Sequence, residues 1–287
     1  MEMNVSNNEE QVVAKKLGGL NPALILPILI LIGYLIYYFV LGNPGNFRED
    51  ARLTGASVGF SGLDTKELHP EGFMGIIYMG GPIVPILISF MIIVLVFSIE
   101  RAMVLRKASG AGNVDNFVLS IRRLLNQNKV DEAIEECDRQ QGSVGNVVRE
   151  GLTTYKALAH DTTMNKEQKM VALNKSIEEA TTLEMPMLEK NMMILSTLGT
   201  VATLVALLGT VIGMIKAFNA LGSGGGTPDS AALSIGISEA LINTALGIGT
   251  SAVAIIFYNY FTSKIDGLTF KIDEIAMSIQ QSFAEFH

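Results

Sequence analysis

The 287-residue sequence predicts an all-α integral membrane protein whose long transmembrane helices extend into a helical cytoplasmic domain. Hydrophobic residues make up 49% of the chain and charged residues 17%, a composition typical of a membrane protein with a soluble part. Four apolar segments each approach or exceed the length of about 20 residues that a bilayer requires. Between them, apolar residues recur every three or four positions, which predicts helices, and strand-like alternation of useful length is absent from the sequence.

The sign of the charges predicts how these segments are arranged. Of the 21 Lys and Arg residues, 13 lie in 99–193 and none lies in 221–232. Because positively charged loops stay in the cytoplasm, we expect both termini and 99–193 to be cytoplasmic. The predicted parts are a cytoplasmic segment 1–22, a transmembrane helix 23–41, a periplasmic segment 42–75, a transmembrane helix 76–98, a cytoplasmic helical domain 99–193, a transmembrane helix 194–220, a periplasmic loop 221–232, a transmembrane helix 233–261 and a cytoplasmic amphipathic helix 262–287.

The first apolar segment has a competing interpretation as a signal peptide, because Lys15 and Lys16 precede it. Its apolar run of about 18 residues is long for the core of a signal peptide. The sequence VLGNPGNF that follows lacks a convincing cleavage site. We therefore expect a retained membrane span.

The cytoplasmic region reads as a series of helices. Within 115–140 one face carries Phe117, Ile121, Leu124 and Leu125, and Asp115 is a candidate N-cap. A second helix is predicted over about 145–159. A third begins near 166 and is expected to run into the span at 194, with a kink at Pro186.

The C-terminal tail repeats the helical pattern. Apolar residues recur at three-to-four spacing, namely Ile265, Leu268, Ile272, Ile275, Ile279 and Phe286. Two interpretations are open: an amphipathic helix on the membrane surface, or a continuation of the last span that packs against identical helices. The few Lys residues favour the second interpretation.

Several classes of function are disfavoured by composition. The single Cys137 and three isolated histidines at 69, 160 and 287 predict no disulfide framework, no metal site and no cofactor. A net charge of −7 argues against nucleic acid as a partner. The glycine-rich stretch GSGGGTPDS lacks the strand and helix context of a phosphate-binding loop and is expected to be a flexible connector.

The residue with the strongest functional signal is Glu239, a carboxylate within the last apolar segment. An ionised carboxylate at the centre of a bilayer costs roughly 2.5–3.5 kcal/mol on insertion scales. A membrane protein therefore keeps one mainly where a buried pathway or a partner requires it. The competing interpretation, a carboxylate that snorkels from a helix end to the interface, is disfavoured because several residues of the segment precede Glu239.

Small residues line one face of each of the last two predicted spans. In the third span, at about 100° per residue, this face carries Ser196, Gly199, Thr203, Ala206, Thr210, Gly213 and Ala217, and the opposite face carries Leu195, Leu204, Val205, Leu208 and Ile212. In the fourth span it carries Gly236, Glu239, Asn243, Gly247, Thr250 and Ala254, with Thr244 at its edge. Such stripes are typical of helix–helix contacts. The added carboxylate, amide and hydroxyls favour an ion path, since hydroxyls can bond a protonated carboxyl and order water.

These two segments carry a family resemblance. LGTVATLVALLGTVIGMIKAF, followed after a short loop by SEALINTALGIGTSAVAIIFYNYF, resembles the proton-channel family of ExbB, TolQ and MotA, most closely its ExbB/TolQ branch. The resemblance extends over about 140–265 and, more loosely, over the span at 76–110. It implies that Glu239, Thr210 and Thr244 line an ion path. The flagellar MotA branch lacks that glutamate, so the chain resembles this branch less.

The chain also departs from the family pattern. Thr203 stands where the family usually has a proline, and Ala206 where it often has a glycine, so the kink expected there is absent or is made by the Thr203 hydroxyl. Lys216 is outside the expected pattern, and it either snorkels outward or pairs with a carboxylate of a partner. The first span and the 42–75 segment are additions to a three-span core.

The resemblance implies a homopentameric ring in the bacterial inner membrane, with single-span helices of an ExbD- or TolR-like partner in its central pore. Proton flow would drive motion that passes to a TonB-like protein and energises outer-membrane transport, without covalent chemistry and therefore without enzymatic activity. Within the family, a TolQ-like, gliding or secretion motor stator is the alternative. From other classes, a stand-alone small-solute transporter or passive channel and a membrane scaffold are also left open.

Overall fold

The computed structural model describes residues 21–47, 72–222 and 230–286. Residues 1–20 of the predicted segment 1–22, residues 48–71 of the predicted periplasmic segment and the connector at 223–229 lie outside the described residues. Within the described part of the chain, all long regular elements are helices and no strand is present, which confirms the all-α prediction.

Nine α-helices of six or more residues account for the described chain. In order they are α1 (Pro22–Leu35), α2 (Phe73–Tyr78), α3 (Val84–Ala108), α4 (Val114–Asn126), α5 (Val130–Gln140), α6 (Gly142–His160), α7 (Lys166–Glu189), α8 (Met192–Gly222) and α9 (Ser230–Phe286). A π-helical turn, Ile36–Leu41, extends α1, and a 3₁₀ turn, Gly81–Ile83, precedes α3.

Four of these segments are long and apolar enough to cross a membrane, as the sequence predicted. They are Pro22–Leu41, Gly81–Ala108, Met192–Gly222 and Ser230–Phe286. The second begins later than the predicted 76–98, because a turn at Met79–Gly80 separates the short helix α2 from it. Gly81 has φ +79°, a left-handed conformation that glycine adopts without strain and that interrupts the helix.

The described chain forms two compact units. One contains the helices of 20–98 and 193–258, and the other contains the helices of 99–192 and 259–287. We name them the membrane unit and the cytoplasmic unit after the locations that the sequence predicts. In the cytoplasmic unit the predicted face of α4 is buried, including Phe117, Ile121 and Leu125. Burial of such apolar side chains is the main source of stability in a helical unit of this kind.

The N-cap of α4 is Asn113 and not the predicted Asp115. Asn113 has extended backbone angles (φ −77°, ψ 118°), and its Oδ1 accepts a hydrogen bond from the Asp115 amide at 2.8 Å. Asn is at least as good an N-cap as Asp. Asp115 instead lies in the first turn, where its negative charge is favourable next to the positive end of the helix dipole.

The expected continuous helix through Pro186 into the third span is wrong. Pro186 lies inside α7, which ends at Glu189, and the chain leaves the helix at Lys190 (ψ 137°) and Asn191 (φ +63°) before α8 begins. Asn is one of the few residues besides glycine that enters the left-handed region at low cost.

A buried ion pair holds this helix break in place. Arg101 is fully buried and pairs with Glu100, and its Nη1 donates to the carbonyls of Met187 and Leu188 at the end of α7. Asn191 Nδ2 donates to Glu100 Oε1 at 3.4 Å. The last carbonyls of a helix have no hydrogen-bond partners within it. Here the Arg101 guanidinium donates to two of them.

The C-terminal tail continues helix α9 and packs against its own chain. Its predicted apolar face is buried within the cytoplasmic unit, except for Phe286. The rings of Phe283 and Tyr155 meet edge to face at 4.9 Å, and Ile279 lies next to Gly151. The continuation of the last span is confirmed, because α9 runs without a break to Phe286. A helix on the membrane surface and packing of this face against identical helices are both wrong, because the face that they require is buried within this chain.

Candidate functional site

The polar face of α9 is buried within the membrane unit. Each residue that the sequence placed on this face is buried: Gly236, Glu239, Asn243, Gly247, Thr250 and Ala254. Their spacing of three and four residues places them on one side of α9, and Gly236, Glu239, Asn243, Gly247 and Ala254 contact α8 or the chain at Gly80–Gly81. Thr244, which the sequence placed at the edge, is half-buried.

Helices α8 and α9 approach closely where two glycines face each other. A Cβ atom on Gly213 would lie 2.7 Å from the Gly236 carbonyl oxygen and 2.7 Å from the Ala240 nitrogen. A Cβ atom on Gly236 would lie 2.7 Å from the Ala217 nitrogen. Since these neighbours are backbone atoms, neither helix has room for a side chain here, as in other small-residue contacts between membrane helices.

At this contact, Glu239 forms an ion pair with Lys216. The Lys216 ammonium lies 2.8 Å from each carboxylate oxygen of Glu239. Glu239 is 3% exposed, whereas the Lys216 side chain is 49% exposed. The pair is therefore asymmetric, with a buried anion and a cation that reaches it from the surface of the unit. Two charge-assisted bonds at this distance are among the stronger interactions a carboxylate can make.

The turn at Gly80–Gly81, called the glycine turn below, covers the other side of the carboxylate. A Cβ atom on Gly81 would collide with the Glu239 carboxylate, so the turn lies directly against it. The next polar residue of α9, Asn243, is fully buried and donates from Nδ2 to the Gly80 carbonyl at 3.0 Å. Its Oδ1 has no protein hydrogen-bond partner among the described residues. A buried acceptor of this kind normally binds an ordered water.

Two threonine hydroxyls connect α8 and α9 close to the ion pair. Thr210 Oγ1 and Thr244 Oγ1 lie 2.6 Å apart. Each also lies within hydrogen-bond distance of a carbonyl of its own helix, Ala206 for Thr210 (3.1 Å) and Ala240 for Thr244 (3.0 Å). A hydroxyl has one proton and two acceptor lone pairs, so the shared bond runs in either direction. Such a pair can pass a proton by reversing its donor and acceptor roles.

The structure brings together four of the five predicted site residues. Glu239, Thr210, Thr244 and Asn243 lie along the contact of α9 with α8 and the glycine turn, whereas Thr203 is exposed on the described chain and does not join them. Leu195, expected on the opposite face of α8, is fully buried. Ala202 and Gly209 belong to the buried stripe as well.

Two parts of the site were missed by the sequence analysis. Lys216 was recognised as unusual, but its partner Glu239 was not, because the relative height of two helices cannot be read from either one alone. Gly80 and Gly81 were not assigned a function. The GGP sequence at 80–82 was the available signal, since such a cluster marks a turn. Among the described residues, no group of three or more His, Cys, Asp or Glu side chains could hold a metal ion.

Comparison with known proteins identifies a family for this arrangement. A family model described as the MotA/TolQ/ExbB proton channel family matches residues 140–274. A putative biopolymer transport protein, ExbB-like 3 of Synechocystis sp., is 32% identical over 113 residues, covering 39% of this chain and 54% of that protein. The putative ExbB homolog of Methanothermobacter thermautotrophicus is 27% identical over 206 residues, covering 71% and 68%. The Tol-Pal system protein TolQ of Pseudomonas aeruginosa is 30% identical over 140 residues, covering 45% and 59%. The chain thus spans little more than half the length of two of these relatives.

Proposed function

We propose that the chain is an ExbB-like proton-channel subunit that converts proton-motive force into mechanical work, on the basis of the match of residues 140–274 to the MotA/TolQ/ExbB proton channel family. The observation that carries the proposal is the hydroxyl pair Thr210–Thr244, which bridges α8 and α9, the same two helices that are joined by the ion pair of the buried Glu239 with the half-exposed Lys216. An ordinary packing contact requires neither a buried ion pair nor paired hydroxyls.

In the proposed path, protons pass along the contact between α8 and α9. The Thr210 and Thr244 hydroxyls exchange donor and acceptor roles, and the Asn243 Oδ1 acceptor orders a water next to them. Glu239 sets the electrostatic potential of the path, with Lys216 as its counter-ion. Thr203, which is exposed on the described chain, is proposed to face the same path only in the assembled protein.

The proposed assembly is a homopentameric ring in the bacterial inner membrane, with both termini in the cytoplasm. Single-span helices of an ExbD- or TolR-like partner occupy the central pore, and a carboxylate on the partner takes the proton from the path. The exposed apolar side chains of α8, including Leu204, Leu207 and Phe218, provide surface for neighbouring subunits, partner helices and lipid.

Proton flow supplies the work in this proposal. Moving one charge across 100 mV releases ~2.3 kcal/mol. Rotation or displacement of the inner helices transmits this energy to a TonB-like protein and so energises outer-membrane transport. The chain itself performs no covalent chemistry, so we propose that it is not an enzyme. A TolQ-like role, with the same site driving another envelope process, is the alternative within the family, and it is supported by the similarity to TolQ.

The proposal is tested by Glu239→Gln in cells that depend on this chain for energised outer-membrane uptake. We expect uptake to be abolished or strongly reduced, while native mass spectrometry of the gently purified complex still finds five copies of the chain. Normal uptake by the Glu239→Gln cells would contradict the assignment of Glu239. A monomer or dimer in place of the ring would instead favour a stand-alone transporter. A membrane scaffold would keep its function in the Glu239→Gln variant.

A further inference from the structure

The first membrane-crossing segment lies outside residues 140–274, which carry the family match, and yet it contacts the neighbourhood of the site. Tyr37 belongs to the π-helical turn Ile36–Leu41 and is buried. Tyrosines of membrane helices usually lie at the interface with their hydroxyls in water. A buried tyrosine therefore requires a specific partner for its hydroxyl.

That partner is Tyr78, the last residue of α2. The Tyr37 hydroxyl donates to the Tyr78 carbonyl at 3.0 Å, and the two rings stack with centroids 4.7 Å apart and planes 17° from parallel. Phe47, which is fully buried, meets the Tyr78 ring edge to face, with ring centroids 5.7 Å apart. Tyr78 is thus held through its carbonyl and its ring by Tyr37 of the first span, and through its ring by Phe47, which follows that span.

Tyr78 directly precedes the turn that covers the Glu239 carboxylate. Two residues separate it from Gly81, which lies against the carboxylate, and Gly80 accepts the hydrogen bond from Asn243. A shift of the Tyr78 carbonyl therefore moves the turn. The apolar cluster around Tyr37 includes Leu41 and Val84, and Ile242 and Leu246 of α9 pack against it. This packing continues the contact along α9 beyond Glu239.

We propose that the Tyr37–Tyr78 pair is a clamp through which the first span holds the Gly80–Gly81 turn over the Glu239 carboxylate. Tyr37 is then a positioning residue for Glu239, and the first span has a function that the family core does not provide. The importance of this clamp for proton flow rests on the proposed function, whereas its effect on access to the carboxylate does not.

The test is labelling of Glu239 with dicyclohexylcarbodiimide, an apolar electrophile to which a carboxyl group adds when the reagent can reach it. Membrane vesicles that contain the full chain are treated, and mass spectrometry quantifies both products at Glu239: the reagent adduct, and the amide cross-link that forms with loss of dicyclohexylurea when the Lys216 amine attacks the activated carboxyl. Tyr37→Phe removes only the hydroxyl, and we expect labelling to increase about fivefold, the population change that follows from losing one ordinary hydrogen bond. Tyr37→Ala also removes the ring stack and should give a larger increase. Phe39→Ala, on the exposed side of the same turn, is the matched control and should label as the wild type does.

Equal labelling of wild type, Tyr37→Phe and Tyr37→Ala would overturn the clamp. An increase in Phe39→Ala as large as that in Tyr37→Ala would overturn it as well, because it would indicate general loosening of the first span. If Tyr37→Ala does not accumulate, the Tyr37→Phe result decides the question. Proton flux into proteoliposomes is measured in parallel. Labelling that follows the expected order in a protein without flux would reject the proposed function and leave the clamp standing.

Discussion

At the scale of single residues, the ion pair of Glu239 and Lys216 dominates the site. The carboxylate is almost completely buried and the lysine is half-exposed, so the two charges lose different amounts of hydration. Removing one partner of a buried ion pair leaves the other charge uncompensated, which costs more than the pair itself contributes. The pair therefore determines whether a carboxylate can remain at this position in the membrane unit.

Replacement of Lys216 tests this coupling. We expect Lys216→Gln to lower the free energy of unfolding by roughly 1–3 kcal/mol, less than the roughly 3–5 kcal/mol of a fully buried pair because half of the lysine side chain is in solvent. The double variant Lys216→Gln with Glu239→Gln should recover part of this loss, since no bare charge remains. Chemical unfolding in detergent measures the two single variants, Lys216→Gln and Glu239→Gln, and the double variant. Strictly additive losses would contradict a direct ion pair.

The thiol of Cys137 gives a prediction for the cytoplasmic unit. Burial, reinforced by the neighbouring charges of Asp138 and Glu136, raises the pKa of Cys137 from 9.0 to about 12. The thiolate is the reactive form, so we expect the native protein to resist maleimide at about pH 8 and to react after unfolding. Between pH 9.0 and about 12 the folded state retains the thiol proton of Cys137, whereas the unfolded state has released it. The contribution of Cys137 to stability is therefore complete below pH 9.0 and is lost as the pH rises toward 12. Fast labelling of the native protein would contradict this burial.

At the scale of elements, the contact of α8 with α9 depends on the glycines at its closest approach. Gly213→Ala places a methyl group 2.7 Å from two backbone atoms of α9, and the helices must separate to admit it. We expect a loss of stability, together with weaker Thr210–Thr244 and Lys216–Glu239 contacts and reduced proton flux. Overpacking of this kind typically costs about 1–3 kcal/mol.

A matched control for this substitution lies in the same helix pair. A Cβ atom on Gly249 of α9 would have no neighbour within 4 Å among the described residues, so Gly249→Ala should be neutral or should stabilise the helix by roughly 0.5–1 kcal/mol. Thermal unfolding of the two variants side by side provides the comparison. Equal effects of the two alanines would mean that the close approach of the helices is not what makes Gly213 necessary.

The elements also indicate what a sequence can and cannot predict. The buried face of α9 followed directly from its period of about 3.6 residues, because a single helix determines which of its own residues share a face. The break at Lys190–Asn191 could not be predicted, since it depends on Arg101, which lies 86 and 87 positions before the two carbonyls that it bonds. The apolar face of the tail was predicted correctly, but the pattern of a single helix does not identify the surface against which this face packs. For the same reason Lys216 was noticed without its partner.

At the scale of the whole molecule, the four helices of the described chain that are long and apolar enough to cross a membrane indicate a multi-pass membrane protein, and residues 140–274 match the MotA/TolQ/ExbB proton channel family. The apolar composition of 49% already predicted a membrane protein. Its helices were expected because a segment that crosses a bilayer must satisfy its backbone hydrogen bonds internally. The proposed ion path requires the proposed assembly, since its hydroxyls and carboxylate would act only if protons could reach them from both sides of the membrane.

Proton flux through the reconstituted complex tests the central claim most directly. The chain is co-purified with the proposed single-span partner, reconstituted into vesicles containing a pH-sensitive dye, and exposed to an imposed membrane potential. We expect flux in the wild type, nearly unchanged flux in Thr210→Ser, which keeps the hydroxyl bonded to Thr244, and little flux in Thr210→Val, which keeps the shape and removes the hydroxyl. Equal flux in the serine and valine variants would contradict a proton path through this pair.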